Sequence, residues 1–142
     1  MVTIADLLQH RTIHCIKPEQ TVFEAAHYMV DCNVGAAPVL EGTQLVGVFS
    51  ERDLMRRVVV EGRNPLITRV EDVMTRELYT VNPGDNFEEA LSLMKEHSIR
   101  HLPVCDGGTL VGFLSLRDLL LHDIHVKSGE VDMMRAYISA AS

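Results

Sequence analysis

The regular spacing of apolar residues between Val22 and Val30 predicts the first helix of this chain. Apolar positions recur there at intervals of three and four, which is the period of an amphipathic helix. Thr21 precedes the segment and Glu24 stands three positions later, which is the arrangement of a capping box. The pattern therefore predicts a helix that begins after Thr21.

Beyond this helix the apolar residues form short runs separated by turn residues. Residues 38–40 and 45–49 predict two strands joined by a Gly-containing turn. Ser50 ends the second strand and suits the N-cap of a helix over residues 51–59. Residues 14–16 predict a short strand before the first helix, so the predicted order is β-α-β-β-α.

This pattern occurs twice in the chain. Residues 18–54 recur as residues 83–119 at a constant offset (83 − 18 = 65), and no gap is needed between those endpoints. Two copies of one supersecondary unit fit a pair of small packed subdomains better than an extended repeat array. The positions identical in both copies are Pro18/Pro83, Glu24/Glu89, Ala25/Ala90, Met29/Met94, Pro38/Pro103, Val39/Val104, Gly42/Gly107, Leu45/Leu110, Val46/Val111, Gly47/Gly112, Ser50/Ser115, Arg52/Arg117, Asp53/Asp118 and Leu54/Leu119.

The second copy predicts the same elements and completes the domain organisation. A short lead-in strand is expected over residues 78–81, a helix over about 87–97, strands over 102–105 and 110–114, and a second helix from Leu116. Gly62 and Pro65 mark the best linker. The predicted boundaries are residues 1–62 for the first repeat, 63–69 for the linker, 70–124 for the second repeat and 125–142 for a C-terminal helical tail.

Composition excludes several classes of function. The formal net charge of −7 argues against a nucleic-acid binder, which needs a basic face. No uninterrupted apolar stretch reaches the roughly 18 residues needed to cross a bilayer, so no membrane partner is expected. Cys15, Cys32 and Cys105 are odd in number and lack a Cys-x-x-Cys spacing, which is typical of a cytoplasmic protein; a redox role for them stays open.

Three segments carry a resemblance to a known family. Residues 47–54 read GVFSERDL, residues 112–119 read GFLSLRDL, and residues 99–104 read IRHLPV. Together they resemble cystathionine β-synthase (CBS) domains, and two in tandem resemble a Bateman module. The resemblance covers nearly the whole chain. It implies an α+β fold in which two CBS-type β-α-β-β-α repeats pack as a pseudo-twofold pair, with two clefts that bind an adenosine-containing ligand such as AMP, ADP, ATP, NAD or S-adenosylmethionine.

The repeated Ser-x-x-Asp sequence supplies the chemistry that such a ligand requires. A carboxylate at the start of a helix can accept two hydrogen bonds from a ribose diol, and a hydroxyl three residues earlier can contact the same ligand. Ser50 with Asp53, and Ser115 with Asp118, meet this description. Ordinary helix capping by Ser, with Asp favourable to the helix dipole, predicts the same residues and remains the alternative.

The resemblance further implies that each cleft combines the Ser-x-x-Asp of one repeat with the helix and strand edge of the other. Adenine would be held by apolar side chains and backbone groups. Site A is then predicted from Val48, Ser50, Arg52 and Asp53 with Ile99, Arg100, His101 and Leu102. Site B is predicted from Phe113, Ser115, Arg117 and Asp118 with Thr21, Ala26, Val34, Gly35 and Ala36.

The two predicted sites differ in charge. Arg100 and His101 contribute to site A, whereas the aligned residues of site B are Gly35 and Ala36. Arginine offers a two-pronged donor to phosphate oxygens and histidine adds another donor, so site A is expected to bind nucleotides more tightly. The alternative for Arg100 and His101 is a solvated loop.

These observations favour a small regulatory module that binds an adenine nucleotide and acts on a separate, unidentified partner protein. The sequence shows no nucleophile with an adjacent base, no phosphate-binding loop and no metal triad, so neither catalysis, a catalytic cofactor nor a metal site is expected. The alternative function is a constitutive interaction scaffold with vestigial clefts. A homodimer is expected from the resemblance and from the apolar helix positions Ala25, Ala26, Met29, Leu91 and Met94.

Overall fold

The structure is a computed structural model and describes residues 2–8, 11–126 and 138. Its elements follow the predicted order in both repeats. Most of the predicted tail over residues 125–142 lies outside the described residues. The elements are α1 (Ile4–Leu7), α2 (Val22–Cys32), β1 (Ala36–Glu41), β2 (Gln44–Ser50), α3 (Glu51–Asp53), a π-helix (Leu54–Val59), α4 (Val70–Val73), α5 (Phe87–His97), β3 (His101–Asp106), β4 (Thr109–Ser115) and α6 (Leu116–Val126).

Helix α2 begins with the capping box that the sequence predicts. The Thr21 hydroxyl accepts a hydrogen bond from the Glu24 amide at 3.1 Å, and the Glu24 carboxylate accepts one from the Thr21 amide at 3.0 Å. Two of the free amide groups at the helix start are therefore satisfied by side chains. The predicted helix is confirmed at this end.

Each repeat contains one antiparallel hairpin, and the strand expected before it is reduced to a single bridge. Strands β1 and β2 pair with Ala36 opposite Ser50, and β3 pairs with β4. Ile16 pairs in parallel with Val39, and Val81 with Val104, at one residue each. The predicted lead-in strands over residues 14–16 and 78–81 are thus shorter than the sequence suggested.

The helix predicted over residues 51–59 changes its winding after its first turn. It begins as α3 and continues as the π-helix, in which the Val60 amide donates to the Met55 carbonyl five residues earlier. The aligned segment of the second repeat stays α-helical as α6. The two repeats therefore differ directly after their Ser-x-x-Asp residues, and such π segments are frequent at functional sites.

The chain divides into two compact units, and these do not coincide with the two repeats. The copy-one unit consists of Thr12–Tyr79 and Asp106–Val111, and the copy-two unit of Met1–Arg11, Thr80–Cys105 and Gly112–Ser142. Helix α4, which begins the predicted second repeat, is thus part of the copy-one unit. Helix α1, at the start of the predicted first repeat, is part of the copy-two unit.

Matching contacts hold the two lead-in helices in place. In the copy-two unit the Ile4 amide donates to the Asp85 carbonyl, and in the copy-one unit the Val70 amide donates to the Gln20 carbonyl, both at 2.9 Å. Ile4 and Val70 are completely buried. Each lead-in helix therefore supplies core residues to the unit that contains the other repeat.

The apolar faces of the repeat helices form the cores of these units. Ala25 and Met29 belong to one cluster of the copy-one unit, and Ala90 and Met94 are buried in the copy-two unit. Burying such side chains is the main source of stability for domains of this size. Of the positions from which a homodimer was expected, Ala25, Met29 and Met94 are therefore buried within their units, whereas Ala26 and Leu91 are half-buried.

Candidate functional site

The site in the copy-one unit is centred on the carboxylate of Asp53. Strand β2 ends at Ser50, whose extended backbone makes it the N-cap of α3. The Ser50 hydroxyl accepts from the Asp53 amide at 3.2 Å, while Oδ2 of Asp53 accepts from the amide and the hydroxyl of Ser50, each at 3.0 Å. Ser50 and Asp53 therefore form a complete capping box, as expected from ordinary helix capping.

The second oxygen of Asp53 is bonded to a residue distant in sequence. Oδ1 accepts a hydrogen bond from the Thr75 hydroxyl at 2.9 Å, and Nε of Arg57 lies 3.7 Å from the same oxygen. Arg57 also donates to the Met74 carbonyl at 2.9 Å. Asp53 is only 5% exposed, and both of its carboxylate oxygens accept hydrogen bonds from groups of the protein itself.

The predicted residues of the loop before β1 lie beside this capping box in the same unit. The Glu51 amide donates to the Gly35 carbonyl at 2.9 Å, and Ala36 pairs with Ser50. A Cβ atom on Gly35 would meet the end of the exposed Glu51 side chain, which would have to move aside. Residues that the prediction assigned to sites A and B thus occur together within one unit.

The site in the copy-two unit has the same cap but a different outer partner. The Ser115 amide donates to Oδ2 of Asp118 at 3.0 Å, and the Asp118 amide donates to the Ser115 hydroxyl at 3.1 Å. Oδ1 of Asp118 lies 2.7 Å from Nη1 of Arg11, whose side chain is 47% exposed. A partly exposed arginine therefore occupies the oxygen that Thr75 occupies in copy one.

Burial would raise the pKa of Asp118, but its partners outweigh this effect. Hydrogen bonds from Arg11 and Ser115 stabilise the carboxylate, and the charge of Arg11 adds to them, so the pKa of Asp118 is lower than usual. Asp118 is thus ionised at neutral pH beside a cation that solvent can reach. Carboxylate and guanidinium together can recognise a diol and a phosphate.

His101 and Phe113 form a stacked pair in the copy-two unit. Their ring centroids are 5.4 Å apart and their planes differ by 11°. Burial lowers the pKa of His101 to about 4; the Asp118 charge opposes this shift and the Arg100 charge adds to it. The imidazole is therefore neutral at pH 7, where it can donate or accept a hydrogen bond but carries no charge for a phosphate.

The remaining predicted residues divide into packing and exposed positions. Leu102 is fully buried, Val34 packs against the copy-one core, and Ala26, Val48 and Ile99 are half-buried. Arg52, Arg100 and Arg117 are exposed. Exposed guanidinium groups are available to a polyanionic ligand, whereas the side chain of Leu102 is buried in the core.

The described part of the chain contains no group of three side chains suited to hold a metal ion. Its three cysteines are free and half-buried, and burial raises the pKa of the Cys15 and Cys105 thiols. Raised thiol pKa values leave little thiolate at neutral pH. None of the described helices is long and apolar enough to span a membrane.

Comparison with known proteins identifies the family. The CBS domain pattern matches residues 4–60 and 70–124. The chain belongs to the CBS domain family. A CBS domain-containing protein of Bacillus subtilis, YhcV, is 41% identical over 113 residues, which are 80% of each chain.

Solved CBS structures share this fold over most of the chain. A CBS-domain protein from Burkholderia ambifaria is 37% identical and has a TM-score of 0.80, covering 92% of this chain and 96% of the other. The CBS protein CBSX2, solved in complex with AMP, is 28% identical with a TM-score of 0.73, covering 88% and 98%. The predicted fold class, with two β-α-β-β-α repeats, is confirmed.

Sequence reasoning missed Arg11 and Thr75. Thr75 lies 22 residues from its partner Asp53, and Arg11 belongs to the lead-in segment before the first repeat. No local motif signals either contact, because both depend on each lead-in segment joining the unit of the other repeat.

Proposed function

We propose that this CBS pair is a regulatory module that binds an adenine nucleotide and acts on a separate partner protein. The observation that carries the proposal is the repeated Ser-x-x-Asp, held in the same geometry at the end of β2 and of β4. The AMP complex of a related CBS protein supports the ligand class. AMP, ADP, ATP, NAD and S-adenosylmethionine all offer the ribose that a carboxylate would bind.

The Asp118 group is the better candidate for the first ligand. Its outer oxygen is paired with a half-exposed arginine, whereas the corresponding oxygen of Asp53 is bonded to Thr75 inside the unit. A ribose hydroxyl that replaces Arg11 at Asp118 frees its guanidinium for a phosphate. This order differs from the tighter binding predicted for site A from Arg100 and His101, which stays untested.

Binding produces regulation when the ligand prefers one arrangement of the protein over another, and the difference is passed to a partner. Nothing in this process requires bond making, and we propose that the protein is not an enzyme. The residue assignments of sites A and B, the cytoplasmic location and the homodimer stay predictions.

Thermal unfolding and native mass spectrometry test the nucleotide proposal together. AMP, ATP and NAD at about 100 times their dissociation constants should each stabilise the folded protein by about 2.7 kcal/mol, since they bind only that state. The freshly purified protein should carry nucleotide mass that is lost on Asp118→Asn substitution. No stabilisation by any adenine compound, and no bound mass, would contradict the proposal.

A constitutive scaffold is the second candidate, and the state of Asp53 favours it. A carboxylate whose acceptors are filled by Ser50 and Thr75 serves the fold without any ligand. Under this function, binding to a partner is independent of nucleotide. A partner whose affinity stays constant while AMP is titrated would support the scaffold, and a changed affinity would support the sensor.

A further inference from the structure

The contacts of Thr75 point to a closing role that goes beyond the proposed nucleotide site and rests on it. We infer that Thr75 keeps the Asp53 carboxylate closed to a ribose diol and fastens residues 74–76 to the copy-one unit. A ligand then reaches Asp53 only when this segment separates from the carboxylate. Thr75 thereby decides which of the two Ser-x-x-Asp groups binds nucleotide first.

Three kinds of contact hold the segment. The backbone of Thr75 pairs with Val48 in both directions, with N–O distances of 2.8 and 3.0 Å. Its hydroxyl donates to Oδ1 of Asp53 at 2.9 Å. Arg57 donates to the Met74 carbonyl at the end of α4, where a cation is favourable to the helix dipole.

Packing makes the position of the segment specific. Met74 is 3% exposed and lies directly over Gly47, where an added Cβ would come within 2.5 Å of its sulfur. The Thr75 hydroxyl is therefore held opposite Asp53 by the backbone on one side and by Met74 on the other. A hydroxyl that is already held in place loses little conformational entropy when it donates a hydrogen bond, which strengthens its contact with the carboxylate.

The second repeat provides an internal comparison. Leu8 packs over Gly112 in the copy-two unit as Met74 packs over Gly47 in the copy-one unit. Asp118 receives a half-exposed arginine, and its side chain is 19% exposed against 7% for Asp53. The repeats thus share the cap and the lead-in packing but differ in whether the outer oxygen of the aspartate is reachable.

The carboxylate has room for a limited number of donors. Oδ2 of Asp53 already accepts from the amide and the hydroxyl of Ser50, so a diol needs Oδ1 as well. Binding there exchanges the Thr75 hydroxyl for a ligand hydroxyl. The freed segment leads into the second repeat, so the exchange also changes how firmly that connection is held.

Hydrogen exchange measured by mass spectrometry tests the fastening without any ligand. Thr75→Val removes the hydroxyl at nearly constant shape, and the amides of Thr75 and Val48 should exchange on the order of tenfold faster, because a hydrogen bond to a charged group is lost. Thr75→Ser keeps the hydroxyl and should stay close to the wild-type rate. Thr80→Val, at an exposed position five residues further along the chain, is the control and should leave these amides unchanged. Equal rates in Thr75→Val and wild type would overturn the fastening.

Calorimetry with AMP tests the closing role in an Asp118→Asn background, where Asp53 is the remaining ribose acceptor. Adding Thr75→Val should tighten AMP binding about tenfold, and adding Thr75→Ser should not. Unchanged or weaker binding after Thr75→Val would mean that Thr75 does not close the site. If no variant in this background binds AMP although the wild type does, the closing role fails and the proposed function stands. If the wild type binds no adenine nucleotide either, both fail, while hydrogen exchange still decides whether Thr75 fastens the segment.

Discussion

The two aspartates should differ in what they contribute to folding stability, although their sequence contexts match. Asp53→Ala removes the carboxylate half of the capping box, a hydrogen bond worth about 1 kcal/mol, and leaves the Thr75 hydroxyl without its acceptor at a half-buried position. An unsatisfied buried group costs about 1–3 kcal/mol. We therefore expect a total loss of about 2–4 kcal/mol.

Asp118→Ala should cost less because the group it leaves behind can be solvated. It removes the equivalent carboxylate half of a capping box, again a hydrogen bond worth about 1 kcal/mol, and an ion pair with half-exposed Arg11 worth about 0–1 kcal/mol. The expected loss is about 1–2 kcal/mol. Released Arg11 turns to water, whereas the Thr75 hydroxyl of the other variant stays at a half-buried position.

Urea denaturation at pH 7 on nucleotide-free protein measures this difference. Bound nucleotide would add stability to one variant more than to another, so it must be removed first. Asp72→Ala is the control, since Asp72 is exposed and its substitution should change stability by less than about 0.5 kcal/mol. If Asp118→Ala loses as much stability as Asp53→Ala, the contacts of Asp53 with Thr75 and Arg57 do not contribute as argued.

Three further predictions concern other parts of the chain. The pKa of His101 is about 4 in the folded state against 6.5 when unfolded, so the unfolded state binds a proton first as the pH falls from 6.5 towards 4 and the free energy of unfolding should drop by on the order of 2–3 kcal/mol. His101→Ala should lose less stability than the wild type between pH 7 and pH 4.5, as measured by urea midpoints. An equal loss in both proteins would contradict the assignment. Ser98 ends α5 with a left-handed backbone (φ 54), so Ser98→Gly should stabilise by about 0.5–1 kcal/mol in thermal unfolding, and a lower melting temperature would refute this. Val30 on α2 is 77% exposed, and the aligned residue of the second repeat is Lys95. Sedimentation should show a dimer for the wild type and a monomer near 15.9 kDa for Val30→Glu, with Val111→Glu as the control. A monomeric wild type would exclude the homodimer.

Elements with a short-range signal could be predicted from the sequence. Capping and three-to-four spacing located α2, and the same pattern located α5 at the bounds the structure shows, Phe87–His97. The repeat strengthened each prediction, because the same element is predicted in both copies of the repeated segment. The lead-in strands were overestimated because their apolar residues serve the core through a single bridge.

The candidate site was predictable in its residue types and not in its contacts. Ser-x-x-Asp indicated both a cap and a ribose acceptor, and the cap is what the structure shows directly. The carboxylate of Asp53 is buried and bonded to Thr75, a contact that the Ser-x-x-Asp pattern does not indicate. Local periodicity cannot reveal a contact that depends on chain segments crossing between units.

The exchange of lead-in helices has a consequence for how the protein could be divided. A cut within residues 63–69 would separate each repeat from the helix that completes its core, because Val70 and Val73 fill the copy-one unit and Ile4 fills the copy-two unit. Neither half is then self-sufficient, yet the two halves carry complementary pieces. Separately expressed halves should therefore complete their cores only by exchanging lead-in helices, as the protomers of a domain-swapped dimer do.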